Sequence, residues 1–191
     1  TESQVHREMA SGLSCPVGFK NGTGGDVRIA VDAVGAASHP HHFLAVGKDG
    51  RCAVASTSGN PDCHVILRGG AVPNYDAAHV EAASGVLQAQ GQRAALMIDA
   101  SHANSSKNPD NQPKVIDDIA RQLEGGERRI VGAMIESHLV AGKQALVPGT
   151  PLVYGQSITD GCIDWDTTAR TLARLADAVR TRRARADSQA A

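Results

Sequence analysis

"ALMIDASHANSSK", residues 95–107, starts as a core strand and ends as a cluster of polar groups. Ala95-Leu96-Met97-Ile98 is a short apolar run without alternation, the pattern of a strand covered on both faces in a parallel sheet. Asp99, Ser101, His102, Asn104, Ser105, Ser106 and Lys107 follow at once. In α/β barrels and open parallel sheets, the C-terminal edge of the strands carries the reaction site. The stretch therefore predicts an α/β fold with a parallel sheet and a site at one end of it.

The flanking sequence repeats the pattern. Residues 62–70 read as another buried strand, ending in Arg68-Gly69-Gly70, and residues 129–139 as a third. A strand-like run within 15–25 ends in Lys20 and a glycine-rich turn. Helical periodicity marks residues 2–11, 26–38, 76–91, 112–126 and 164–187. Thr1 and Gln4 have the spacing of a capping box, and Gly12 is expected to end that first helix. Residues 41–56 read as two strands around an Asp49-Gly50 turn, and residues 149–162 as loop. Strand and helix alternate at βα spacing, giving four βα units behind one leading helix. No linker or low-complexity segment interrupts them, so one domain over residues 1–191 is expected.

Composition narrows the partners. With 191 residues and 41% apolar content, the chain can bury one good core, and only 3% aromatic content makes that core aliphatic. A net charge of -1 gives no bias towards nucleic acid or an anionic membrane. No apolar run approaches the roughly 20 residues that span a bilayer. Cys15, Cys52, Cys63 and Cys162 form no metal-finger or CxxC spacing and read as free, buried thiols of a cytoplasmic protein.

The charged residues at the expected strand ends form two groups. His102, Glu136 and Asp160 are an imidazole and two carboxylates, a set that suits Mn, Fe, Co or Zn with open coordination positions. Lys20 and Arg68 are cations emerging from apolar strands beside glycines, which let backbone N–H groups approach an anion. Together they predict a small phosphorylated or carboxylated substrate bound beside a metal. Other features carry less. His39, His41 and His42 read as a loop before a strand, His6, His64 and His79 as packing or surface residues, and Trp165 as core. His138 is left outside the site. The basic run Arg180 to Arg185 reads as a solvated helix end, because no aromatic residues are interleaved.

Five ordered blocks, "TESQVHREMASGLSCPVGFKNGTGG", "STSGNPDCHVILRGG", "MIDASHANSSK", "MIESHLVAGKQ" and "YGQSITDGCIDW", resemble the C-terminal half of the microbial type I DAHP synthases. These are the 3-deoxy-D-arabino-heptulosonate 7-phosphate synthases that open the shikimate pathway of aromatic amino-acid biosynthesis. The resemblance runs from Thr1 into the final helix. It implies a (β/α)8 TIM barrel, of which this chain supplies the last four βα units, with an inserted hairpin near residues 43–56. It also implies condensation of phosphoenolpyruvate with erythrose 4-phosphate and release of phosphate. By motif, His102, Glu136 and Asp160 would be metal ligands, and Lys20 and Arg68 would hold phosphoenolpyruvate. Lys20 and His102 would be the catalytic residues, with Asp160 also touching substrate. The hairpin around Lys48-Asp49-Gly50 is similar to an insertion that helps form the family's feedback site for aromatic amino acids. A homo-oligomer, dimer or tetramer, is expected.

The resemblance also leaves parts out. The family's fourth metal ligand is a cysteine on the first strand, and no cysteine here sits in a matching motif. In the family, "GART" runs directly into "TESQ", so the chain is expected to be part of a longer enzyme or to pair with a second chain that completes the barrel. Two other readings fit the residues: an aldolase forming a Schiff base on Lys20, and a non-catalytic half-barrel that binds an aromatic effector or a partner in trans.

Overall fold

Parallel strands need crossover connections, and helices supply them here. The computed structural model describes residues 3–190. In chain order the elements are α1 (Gln4–Ser11), β1 (Gly18–Lys20), α2 (Arg28–Ala37), β2 (His42–Val46), β3 (Cys52–Ser56), β4 (His64–Leu67) and α3 (Ala77–Ala89). There follow β5 (Leu96–Asp99), α4 (Gln112–Glu124), β6 (Ile130–Met134), β7 (Val140–Lys143), β8 (Gln156–Ser157) and α5 (Trp165–Ala190). Strands β1, β4, β5 and β6 pair in that order, all parallel. This is the α/β architecture and parallel sheet that the apolar runs predict.

Register divides the sheet into two faces. Phe19, Val65 and Leu96 align across β1, β4 and β5, and with Leu67 and Ile98 they are buried against the helices. The opposite face carries Gly18 and Lys20 of β1, His64 and Ile66 of β4, and Met97 and Asp99 of β5. Gly18 lets the Ile66 and His64 side chains lie close to the β1 backbone, where a Cβ would crowd both. His64, Ile66 and Asp99 of this second face are buried, and β1 and β6 are edge strands of the sheet.

Each helix follows from its sequence. Asp76 caps α3 by accepting a hydrogen bond from the His79 N–H. In α4 the apolar residues Val115, Ile116, Ile119, Ala120 and Leu123 recur at helical spacing and are all buried. Gly125 closes that helix as expected. The capping box on Thr1 lies outside the described residues; the observed N-cap of α1 is Ser3, whose side chain makes no capping bond.

Several expectations are corrected. Trp165 is not core: it is 62% exposed, because it opens α5 and the buried positions of that helix begin at Thr168. The strand expected over 129–139 stops at Met134, where the chain leaves the sheet; it then forms the short parallel pair β7–β8, with β8 inside the segment read as loop. All four cysteines are free, but only Cys63 is buried. The basic end of α5 is not merely solvated. Arg182 and Arg185 donate to the Glu127 and Glu124 carbonyls at the C-terminal end of α4, where a helix dipole favours cations.

Candidate active site

Four of the five predicted residues emerge at one edge of the sheet, and Asp160 joins them from a loop. Lys20 is the last residue of β1, and Arg68 is the first residue beyond β4. His102 and Glu136 follow the ends of β5 and β6, and Asp160 lies in the loop between β8 and α5. Arg68, His102, Glu136 and Asp160 line an open cleft of about 680 Å³, together with Lys107 and Lys143. Lys20 is not among the lining residues; it stands behind them, turned towards Asp99. Among the described residues Arg68 makes no ion pair, which leaves its guanidinium free for an anion.

One atom each from His102, Glu136 and Asp160 lies within 4.8 Å of the other two. His102 Nε2 and Glu136 Oε1 are 3.8 Å apart. A divalent ion sits about 2.0–2.2 Å from such donors, so this spacing needs only a small inward side-chain adjustment to share one ion. The electrostatics point the same way. Burial pushes the Glu136 carboxyl above its ordinary pKa, and Asp160 and Asp99 add to this while His102 opposes it. Two crowded carboxylates beside an imidazole favour a cation between them, so the residues present fit a metal.

Behind this front row lies a fully buried carboxylate. Asp99 Oδ2 accepts a hydrogen bond from Lys20 Nζ at 2.8 Å. Its Oδ1 accepts from the Ser101 N–H at 2.9 Å and from Ser101 Oγ at 2.6 Å. His102 Nδ1 lies 2.8 Å from Asp99 Oδ2 and 2.7 Å from Ser101 Oγ. Burial by itself would raise the Asp99 pKa, but the hydrogen bonds from Lys20 and Ser101 hold it below its ordinary value. His102 has a φ of 53°, in the left-handed region. Non-glycine residues rarely persist there unless their surroundings hold them.

The loops are tied by buried amides. Asn21, after β1, accepts from the Arg68 N–H and donates to the Gly69 carbonyl. Asn74 accepts from the Gly69 N–H, and its own N–H donates to Asn104 Oδ1. Asn104 in turn donates to the Leu67 and Asp99 carbonyls. Gln112, fully buried on α4, pairs with both the N–H and the carbonyl of Glu136. The backbones at Arg68 and Glu136 are therefore fastened to neighbouring segments.

Residues 1–173 match the DAHP synthetase I family. The chain belongs to that family. It is 57% identical over 183 residues to the Phe-sensitive phospho-2-dehydro-3-deoxyheptonate aldolase of Escherichia coli (strain K12), an alignment covering 96% of this chain and 52% of that protein. It is 54% identical over 188 residues to the tyrosine-inhibited phospho-2-dehydro-3-deoxyheptonate aldolase of Schizosaccharomyces pombe, covering 96% and 50%. The solved phospho-2-dehydro-3-deoxyheptonate aldolase of Francisella tularensis SCHU S4 superposes with a TM-score of 0.90 at 50% identity, covering 95% of this chain and 53% of that one. The chain thus spans about half the length of the DAHP synthetase I relatives it matches.

Against this family background, several residues had escaped sequence reading. Asp99, Gln112 and Asn74 are polar and buried, and no linear motif announces that; the only signal was that polar residues crowd the ends of apolar runs. The glycines also act differently from expectation. The Gly69 N–H is taken by Asn74 and the Gly70 N–H by the Val72 carbonyl, so neither is free for an anion. A Cβ on Gly70 would lie 2.5 Å from Gly25, so these glycines let two loops touch. His138, as expected, stays out of the cleft; its Nδ1 accepts from the next residue's N–H. The Schiff-base reading of Lys20 loses ground too. Imine-forming lysines are activated by apolar surroundings or neighbouring cations, whereas Lys20 is paired with a buried carboxylate.

Proposed function

We propose that this chain is the C-terminal half, residues 1–191, of a single (β/α)8 barrel. In this reading the barrel condenses phosphoenolpyruvate with erythrose 4-phosphate to give DAHP and phosphate. The observation that carries the reading is one cleft holding a free guanidinium, two lysines and a three-residue metal-ligand set at the C-terminal edge of a parallel sheet. A four-stranded parallel sheet with β1 and β6 as open edges supports completion by further strands.

In this reading Arg68 and Lys20 bind the phosphate and carboxylate of phosphoenolpyruvate and fix which face is presented. His102, Glu136 and Asp160 hold a divalent ion, Mn, Fe, Co or Zn, which when bound supplies Lewis-acid polarisation of the aldehyde carbonyl. Asp160, the most exposed of the three, also reaches the sugar phosphate. A carbon–carbon bond forms between the phosphoenolpyruvate methylene and the aldehyde carbon. Water then adds to the resulting cationic centre and phosphate leaves. The β2–β3 hairpin, whose Leu44, Val46 and Val54 are exposed, contributes to a site for an aromatic amino-acid effector and to a homo-oligomer. The names of the relatives, Phe-sensitive and tyrosine-inhibited, support the effector.

The test is consumption of phosphoenolpyruvate by this chain, with erythrose 4-phosphate and Mn2+, before and after adding the upstream half of a full-length relative. Silence alone and turnover after addition is the expected result. Continued silence from halves shown to have folded together would sink the catalytic reading and favour a regulatory half-barrel.

A further inference from the structure

Direction of proton donation around Asp99 fixes more than its contacts suggest. An ionised carboxylate only accepts hydrogen bonds, whereas a serine hydroxyl has one proton to give. Ser101 Oγ lies 2.6 Å from Asp99 Oδ1, so its proton goes there. The same Oγ lies 2.7 Å from His102 Nδ1 and, its proton spent, can only accept. Asp99 Oδ2, at 2.8 Å, is a second acceptor facing that ring nitrogen. A bare Nδ1 lone pair against two oxygen acceptors would be repelled from both. We infer that Asp99, acting through Ser101, is a positioning residue that keeps the His102 proton on Nδ1 and leaves Nε2 bare towards Glu136.

Both consequences belong to the cleft. Nε2 is the nitrogen 3.8 Å from Glu136 Oε1, so the tautomer selected is the one able to bind an ion between them. Lys20 Nζ shares the same carboxylate. One buried group therefore touches both the imidazole of the metal-ligand set and the Lys20 ammonium behind it. The His102 backbone is left-handed, and its carbonyl accepts from the Lys107 N–H and from Ser105 Oγ. The part concerning the ion rests on the metal reading above; the tautomer does not.

Tautomer and metal affinity are read separately. Long-range 1H–15N correlation spectra of the metal-free chain, at a pH where His102 is neutral, should show Nδ1 protonated and Nε2 bare. Asp99→Asn should move population towards the Nε2–H form and weaken Mn2+ binding, followed by the EPR signal of free Mn2+, by about 10- to 100-fold. Ser101→Ala, which leaves the Asp99–Lys20 pair in place, should shift both in the same direction by less. A wild-type His102 protonated on Nε2 overturns the inference. So does an Asp99→Asn chain, folded by circular dichroism, with unchanged tautomer and affinity. A wild-type chain with the expected tautomer that binds no Mn2+ would instead remove the metal reading and leave the inference standing.

Discussion

At the scale of single residues, the two cations expected to grip the substrate stand in different surroundings. Lys20 neutralises a carboxylate that water does not reach, while Arg68 has no ionic partner among the described residues. Removing one member of a buried pair leaves the other charge uncompensated, which typically costs about 3–5 kcal/mol. Lys20 is partly solvated and Ser101 remains to Asp99, so about 2 kcal/mol is the expected loss for Lys20→Met. Arg68→Met should change stability by no more than about 0.5 kcal/mol. Urea unfolding of both variants checks this, and equal losses would contradict it. The pH dependence has a definite sign. The Asp99 pKa is depressed in the folded state, so its stabilisation is present above the unfolded value of about 4 and fades as pH falls through the folded value. The wild-type unfolding midpoint should therefore fall more steeply with acid than that of Asp99→Asn.

At the scale of elements, α4 and α5 form the best-furnished contact outside the sheet. Arg174 bridges to Asp117 and Glu124, while Ile116, Ile119 and Leu123 of α4 are buried in the core. The buried residues should dominate. Exposed ion pairs contribute about 0–1 kcal/mol, whereas truncating a buried isoleucine costs about 2–5 kcal/mol. Ile119→Ala should therefore lower the thermal midpoint several times further than Arg174→Ala, measured by calorimetry. A comparable drop would mean that the Arg174 bridges are stronger than their exposure implies. The helices and the hairpin turn were legible from periodicity and from Asp49-Gly50, because local backbone preference and a single buried face decide them. The β7–β8 pair was not legible, because two short segments acquire strand geometry only by finding each other.

At the scale of the whole molecule, a parallel sheet with two open edge strands, β1 and β6, leaves backbone groups without a strand partner. Leu44, Val46, Val54 and Tyr154 add exposed apolar surface, Tyr154 at 88%. The chain by itself should therefore self-associate, and light scattering should show this easing when the upstream half of a relative is added. The thermal midpoint should rise at the same time. Scattering that stays monomeric and unchanged would mean that the open edges and the exposed apolar residues need no partner.

What the sequence by itself determined was the alternation of apolar strands and amphipathic helices, and with it the edge at which Lys20, Arg68, His102 and Glu136 would emerge. Hydrophobic period and residue order along the chain are enough for that. Tertiary structure alone decided that Asp99 joins Lys20 to His102, that Gln112 fastens Glu136, and that Trp165 faces water. Those outcomes depend on which groups from distant segments meet where water is excluded, and on which donor then has an acceptor left to satisfy.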